Sequence, residues 1–343
     1  MHVLILDTAQ ARDIDLEAAV LGPGFTVEAI EGRDPARVDD VVWARADAVL
    51  SWLMPIGPAE VARLARCRIL VKFGVGYDIF DIEAAGRAGI PVCNVPDYGT
   101  GEVADHAMAM MLSLRRGLPS FQRLLAGDPA VGWQWSAGPL MRRVATDRLG
   151  IVGIGRIGEA VARRALGFGM RIGWYDPYVA AGRDLPGQRM DRLEDLLAAS
   201  DIVSVHCPLT AETRGMIGRR ALAAIRPGAI LVNTARGAVV DLGAVHDALR
   251  SGHLGGAAID VFPEEPPDPA LPLMAAFREQ PAWAAGRIVL SPHAAFFSPE
   301  SWREQRQKAA ATARDMLLHG EVRNCVNARF LPVSGLRGRG KTD

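Results

Sequence analysis

An apolar run, a glycine-rich turn, an amphipathic segment and a second apolar run ending in an acid follow one another in GIVGIGRIGEAVARRALGFGMRIGWYD, residues 150–176. Gly153, Gly155 and Gly158 have the spacing G-x-G-x-x-G. Each glycine has a physical reason: the first permits a tight turn, the second lets a diphosphate approach the backbone, and the third lets the helix pack closely on the sheet. This predicts that Gly153, Gly155, Arg156, Ile157 and Gly158 cradle a dinucleotide at a helix N-terminus. Asp176 stands where a carboxylate meets the adenosine ribose hydroxyls. The same charge repels a 2′-phosphate, and Pro177 and Tyr178 add no cation, so the expected cofactor is NAD rather than NADP.

Short apolar runs alternate with helix-period segments along the whole chain, the pattern of parallel sheets covered by crossover helices. The fold class is therefore α/β. VLILD, DAVLSW, RILVKFG and IPVCNV read as buried strands of a first small unit. A long helical pattern, GEVADHAMAMMLSLRRGL, precedes six further strand-like runs: RLGIVGIG, RIGWYD, DIVSVHC, AILVNTA, GAAID and RIVLSP. The last helical stretch, SPESWREQRQKAAATARDMLLHG, has no strand after it and is free to return to the first unit. Two doubly wound parallel-sheet domains are expected: a Rossmann NAD-binding domain over 99–293 and a smaller, flavodoxin-like substrate domain made of 1–98 with 294–330. Residues 331–343, ending in LRGRGKTD, read as a frayed tail.

Composition removes several function classes. Lys plus Arg and Asp plus Glu both number 39, so no basic field gathers nucleic acid or an anionic membrane. Cys67, Cys93, Cys207 and Cys325 form no CxxC pair, which argues against a disulfide framework and a metal site. The most apolar helical stretch carries Asp105 and His106, and the N-terminus has no basic leader, so a cytoplasmic protein is expected.

Three segments fall where strands of the second sheet end, the edge at which such sheets bind ligands. They are NTARG with Arg236, AAIDVFPEEPP with Asp260, Glu264 and Glu265, and LSPHAAFFSP with His293. Each residue alone has an ordinary structural explanation. Together they supply a cation, a carboxylate and an imidazole at one rim, the parts a carbonyl reduction needs. The guanidinium fork of Arg236 matches a 2-oxo acid's carboxylate. His293 as imidazolium can protonate the carbonyl oxygen while hydride reaches carbon, and a carboxylate on its far nitrogen, taken as Glu265, fixes the ring and favours its acid form.

The stretches VKFGVGYD, VPDYGTGEVADHAMAMML, GIVGIGRIGEA, LVNTARGAVVD, AIDVFPEEP and LSPHAAFFSPES resemble, in order, the D-isomer-specific 2-hydroxyacid dehydrogenase family. VCNVP, HAAFFSPES and RNCVN are most similar to the branch containing the C-terminal-binding proteins. The resemblance places the family's catalytic Arg, Glu and His on Arg236, Glu265 and His293, with Glu265 chosen over Glu264 by its spacing from Asp260. It implies that the backbone of Gly74, Val75 and Gly76 holds the substrate carboxylate. It also implies that Cys207, Pro208, Thr213, Thr234, Ala235, Arg236, Asp260 and His293 line the nicotinamide side. Phe296 falls where that branch has a tryptophan beside the substrate, with Trp52, Met54 and Tyr77 as further candidates for the same wall. Glu265 stands where formate dehydrogenases carry glutamine, which disfavours formate.

The resemblance further implies a homodimer paired through the cofactor domain, where the methionine-rich face of GEVADHAMAMMLSLRRGL is a candidate for the interface or for the core. The expected function is NAD-dependent interconversion of a 2-oxo acid and a D-2-hydroxy acid. The alternative is an NAD(H)-sensing interaction protein with incidental turnover. The stretch 266–286 reads equally as a lid or a surface loop.

Overall fold

Parallel strands covered on both faces need continuous apolar runs, and the chain supplies them twice. The computed structural model describes residues 1–8, 13–180 and 182–332. It separates into two units, Met1–Gly99 with Ser298–Asp343, and Thr100–Phe297. The tail expected over 331–343 lies, from 333 onward, outside the described residues.

The first unit holds β1 (His2–Leu6), β2 (Thr26–Ile30), β3 (Ala48–Ser51), β4 (Ile69–Lys72) and β5 (Val92–Cys93). They form a parallel sheet in the order β2-β1-β3-β4-β5, the flavodoxin-like arrangement. Every residue of β3 and β4 is buried. By contrast β2, TVEAI, is an edge strand with no buried residue, and so has no apolar run to announce it. The helix Pro299–His319 lies against β3, β4 and the helix Asp15–Leu21. Its N-terminus is closed by a capping box between Ser298 and Ser301, and its end by Gly320 at φ 71°. A buried ion pair between Arg306 Nη2 and Glu17 Oε2, 2.6 Å, locks the two helices.

The second unit holds β6 (Arg148–Val152), β7 (Arg171–Tyr175), β8 (Gln188–Arg189), β9 (Ile202–Val205), β10 (Ile230–Asn233), β11 (Gly256–Ile259) and β12 (Ile288–Leu290). All pair in parallel, in the order β12-β11-β10-β9-β6-β7-β8. The strand order reverses between β6 and β9, which makes their carboxyl ends the switch point where such sheets take ligands. The six apolar runs appear as six of these strands. The seventh, β8, is two exposed residues at the edge.

Met108, Met110 and Met111 of the helix Thr100–Arg115 are buried in this unit's own core. The methionine face is therefore core. Leu118, Leu125, Val131, Trp133 and Trp135, which follow that helix, are the apolar side chains left exposed there. The stretch 266–286 contains the helix Pro272–Glu279, which buries Leu273 and Ala276 and packs on the helix Leu242–Arg250. The chain leaves this unit after Phe297 rather than after 293, because Ala294 and Ala295 N–H both bond to the Asp260 carboxylate.

Candidate active site

The glycine turn sits at the switch point, and its three glycines differ in what surrounds them. Gly153 has φ 90°, and a Cβ there would lie 2.8 Å from the Cys207 amide nitrogen beyond β9. A Cβ on Gly158 would lie 2.1 Å from the Gly153 carbonyl oxygen, so the helix Arg156–Gly167 rests directly on the turn. Around Gly155, the N-cap of that helix, a Cβ would meet nothing within 4 Å. That open position faces the free N–H groups of the first helical turn, a setting suited to a diphosphate. Asp176, just past β7, accepts from Ile154 N–H at 3.1 Å and Tyr178 N–H at 2.9 Å, which draws its carboxylate against the turn.

Beyond β9, burial pushes the Cys207 thiol up to about 11, so it offers an apolar contact and not a thiolate. Thr213 donates to the Pro208 carbonyl at 2.6 Å and so closes the exposed turn after Pro208. The Thr234 hydroxyl is buried and meets no hydrogen-bond partner among the described residues. A buried hydroxyl in that state has a hydrogen bond left to offer a bound group. The open glycine turn, the Asp176 carboxylate drawn against it and the orphaned hydroxyl together fit a bound dinucleotide.

The loop after β10 is organised by Asn233, a buried residue that sequence reasoning passed over. Its Oδ1 accepts from Ala235 N–H at 3.1 Å and its Nδ2 donates to the Arg236 carbonyl at 3.0 Å. Arg236 is half-buried and donates to the Ala235 carbonyl at 2.8 Å. Its charge reaches Glu265.

His293 Nδ1 lies 2.6 Å from Glu265 Oε2. The second carboxylate oxygen accepts from Phe262 N–H at 3.0 Å. Burial pushes the Glu265 carboxyl up, but the hydrogen bond and charge of His293, the Phe262 N–H and Arg236 outweigh it and hold the group below its ordinary value. Glu265 is an anion at neutral pH, and its neighbour Glu264 is exposed. Phe296 meets the His293 ring edge-on at 6.0 Å.

Asp260 is wholly buried. It accepts from the Ser291 hydroxyl at 2.5 Å, Ala294 N–H at 2.9 Å and Ala295 N–H at 3.1 Å, while its carbonyl accepts His293 N–H at 2.7 Å. His106 completes the chain, its Nε2 2.9 Å from the Ser291 hydroxyl. With no exposed surface, Asp260 serves the site through the turn it fixes. That turn holds His293 at φ 53°, a backbone region that costs a non-glycine residue on the order of 1 kcal/mol and persists only where the surroundings enforce it.

In the first unit, Gly74 has φ 110°, which favours glycine, and its carbonyl accepts from Val95 N–H at 3.0 Å. The Val75 carbonyl accepts from Asn94 Nδ2 at 2.6 Å. Val75, Gly76 and Tyr77 are exposed or half-buried, whereas Met54 is core. Trp52 is packed too, stacked between Phe73 at 4.1 Å and Trp302 at 4.4 Å. Lys72 is buried at the end of β4 and donates to the Phe73 carbonyl. A lysine closing an otherwise apolar run was the available signal for it.

A switch-point glycine turn and an imidazole–carboxylate pair at the same sheet edge define a dehydrogenase that uses a nicotinamide dinucleotide. Residues 108–295 match the model of the D-isomer specific 2-hydroxyacid dehydrogenase NAD binding domain. The chain is 40% identical over 294 residues to a glyoxylate reductase of Korarchaeum cryptofilum, covering 84% of each. It is 34% identical over 311 residues to a D-3-phosphoglycerate dehydrogenase of Mycobacterium bovis, covering 90% of this chain and 56% of that one.

Among solved structures, it is similar to an NADPH-dependent glyoxylate/hydroxypyruvate reductase of Sinorhizobium meliloti, with a TM-score of 0.83, 27% identity and 99% of each chain covered. It also resembles a D-lactate dehydrogenase of Aquifex aeolicus complexed with NAD and lactic acid, with a TM-score of 0.78, 25% identity, and 92% and 95% covered. The chain belongs to the D-isomer specific 2-hydroxyacid dehydrogenase family, and it is an NAD(P)-dependent oxidoreductase of 2-hydroxy acids.

Proposed function

We propose that this protein interconverts a 2-oxo acid and the D-2-hydroxy acid with NAD as its cofactor and His293 as the acid and base. The observation that carries the reading is the 2.6 Å contact between His293 Nδ1 and the Glu265 carboxylate. It leaves Nε2 as the nitrogen that gives a proton to the carbonyl oxygen, or takes it back in oxidation. Arg236 holds the substrate carboxylate and polarises the carbonyl. Bound NADH supplies the hydride that reaches the carbonyl carbon. The backbone of Gly74, Val75 and Gly76 is assigned to the substrate carboxylate, and Phe296 to its side chain.

Preference for NAD rests on Asp176, whose charge opposes a 2′-phosphate, and on Arg183, the first basic residue after it, which pairs with Glu159 at 2.9 Å. The turn residues Gly153, Gly155, Arg156, Ile157 and Gly158 take the diphosphate. Cys207, Pro208, Thr213, Thr234 and Ala235 face the nicotinamide end.

A homodimer is supported by Leu118, Leu125, Val131, Trp133 and Trp135, apolar side chains close together in the sequence and all exposed. Cytoplasmic location is supported by four cysteines that are all free thiols. Among the described residues, no helix is long and apolar enough to cross a membrane. The finer kinship with C-terminal-binding proteins rests on sequence stretches alone.

The test is loss of NADH absorbance against a panel of 2-oxo acids, from glyoxylate and pyruvate to branched and aryl side chains, with NADPH as control. Rapid NADH oxidation with one side-chain class, abolished in His293→Gln while NADH still binds, is expected. Tight NADH binding with no turnover across the panel would overturn the reading.

A further inference from the structure

Two of the four cysteines meet where the segment after the helix Pro299–His319 runs antiparallel to β5. Cys93 and Cys325 are bridge partners. The flanking bonds, Asn94 N–H to the Asn324 carbonyl at 3.4 Å and Val326 N–H to the Val92 carbonyl at 2.8 Å, make them a non-hydrogen-bonded pair. In such a pair the Cα atoms stand about 4.5 Å apart and the side chains make their closest approach. A disulfide spans Cα separations of about 4.4–6.8 Å.

The segment is also held in place. Asn327, fully buried, donates to the Ile82 and Ile90 carbonyls at 3.2 and 3.0 Å and accepts from Val92 N–H at 2.8 Å. The bridge thus sets the two side chains on the same face of the pairing, next to one another.

We propose that Cys93 and Cys325 form an oxidation site, at which a hydroperoxide converts the two thiols into a disulfide tying the segment after Gly320 to β5. The two sulfurs differ in a way that orders the steps. Cys325 is half-exposed, whereas Cys93 is buried. The Cys325 thiol has Asn327 Oδ1 as its acceptor at 3.3 Å. The neighbouring Cys93 thiol, opposed by burial and helped by nearby backbone N–H groups, shifts Cys325 toward its thiolate. Its thiolate is the nucleophile. The contact with Cys325 and burial push Cys93 far up, so it waits as the thiol.

Cys325 thiolate attacks the terminal hydroperoxide oxygen, the O–O bond breaks, and hydroxide (alkoxide from an organic hydroperoxide) departs, so that Cys325 carries a sulfenic acid. The Cys93 sulfur then attacks the Cys325 sulfur. The S–S bond forms, the S–O bond breaks, and water departs with the Cys93 proton. Two electrons pass from the thiols to the peroxide. Asn94, next to Cys93, is the residue that holds the Val75 carbonyl, so the cross-link lies one residue from the support of the 74–76 loop.

The test treats the reduced full-length protein with equimolar hydrogen peroxide, alkylates the remaining thiols and maps peptides by mass spectrometry. A dithiothreitol-reversible link between the Cys93 and Cys325 peptides of one chain is expected, with Cys67 and Cys207 still alkylated. In Cys93→Ser, dimedone labelling of Cys325 should rise about tenfold over the wild type, since the sulfenic acid then lacks its resolving thiol. Oxidation of wild-type Cys325 to sulfinic or sulfonic acid with Cys93 left as a thiol would overturn the proposal, as would a link between any other pair.

Discussion

Glu265→Gln changes one charge and almost no volume, so it isolates what the carboxylate does for His293. The carboxylate accepts twice, from Phe262 N–H on one oxygen and from His293 Nδ1 on the other. An amide has one oxygen and cannot do both. If that oxygen stays with Phe262, the NH2 group faces Nδ1 and favours a neutral ring; if it turns to His293, two N–H groups confront each other at Phe262. Either way the imidazolium loses a charged partner.

Such a hydrogen bond contributes about 1.5–3 kcal/mol. The His293 and Glu265 side chains are 33% and 27% exposed, so screening keeps the loss near the lower end. A loss of about 1.4 kcal/mol is about tenfold in rate, so kcat/KM for reduction should fall about tenfold. The assay is kcat/KM for NADH-dependent reduction of the best 2-oxo acid at pH 7, with NADH affinity measured alongside. Wild-type kcat/KM, or a loss fully accounted for by weaker NADH binding, would refute this role for Glu265.

Gly155→Ala should fold with unchanged stability, because its Cβ enters open space, yet lose at least about tenfold in NADH affinity by filling the diphosphate position. Gly158→Ala should instead destabilise the chain by about 1–3 kcal/mol, since its Cβ would meet the Gly153 carbonyl oxygen; NADH titration and urea unfolding of both variants separate the two. Asp176→Ala should weaken NADH binding and narrow its advantage over NADPH, and an unchanged ratio of the two affinities would remove the ribose assignment. Asp201 is pushed up by burial but held lower overall by Arg148 N–H, Arg226, Arg142 and the Arg148 side chain. A carboxyl depressed by folding contributes stability above its unfolded value, 3.8, that is lost as pH falls through the folded one. Asp201→Asn should therefore cost about 2 kcal/mol at pH 7, and urea unfolding should show that deficit closing toward pH 3.

What the residue string reveals depends on whether a constraint is local. Gly153, Gly155 and Gly158 are readable because turn, ligand approach and helix packing all act within six positions of one another. Arg236, Glu265 and His293 are readable as candidates because each follows an apolar run that ends at the same sheet edge. Their pairing is another matter: Glu264 and Glu265 are adjacent, and only the backbone path from β11 turns one to solvent and the other to the ring.

Edge strands β2 and β8 escape notice for the opposite reason, since solvent on their open sides removes the apolar signature of a covered strand. Residues that act by holding others are the hardest to find. Asn233 and Asp260 sit in apolar strand ends and read as ligand contacts or as nothing, yet their hydrogen bonds aim the Arg236 loop and the His293 turn. Nor can spacing pair Cys93 with Cys325, because the return of the chain through the helix Pro299–His319 is what lays one opposite the other. Positions that touch a ligand are thus chosen by side-chain chemistry that a sequence displays, whereas positions that aim them are chosen by geometry that exists only once both sheets have formed.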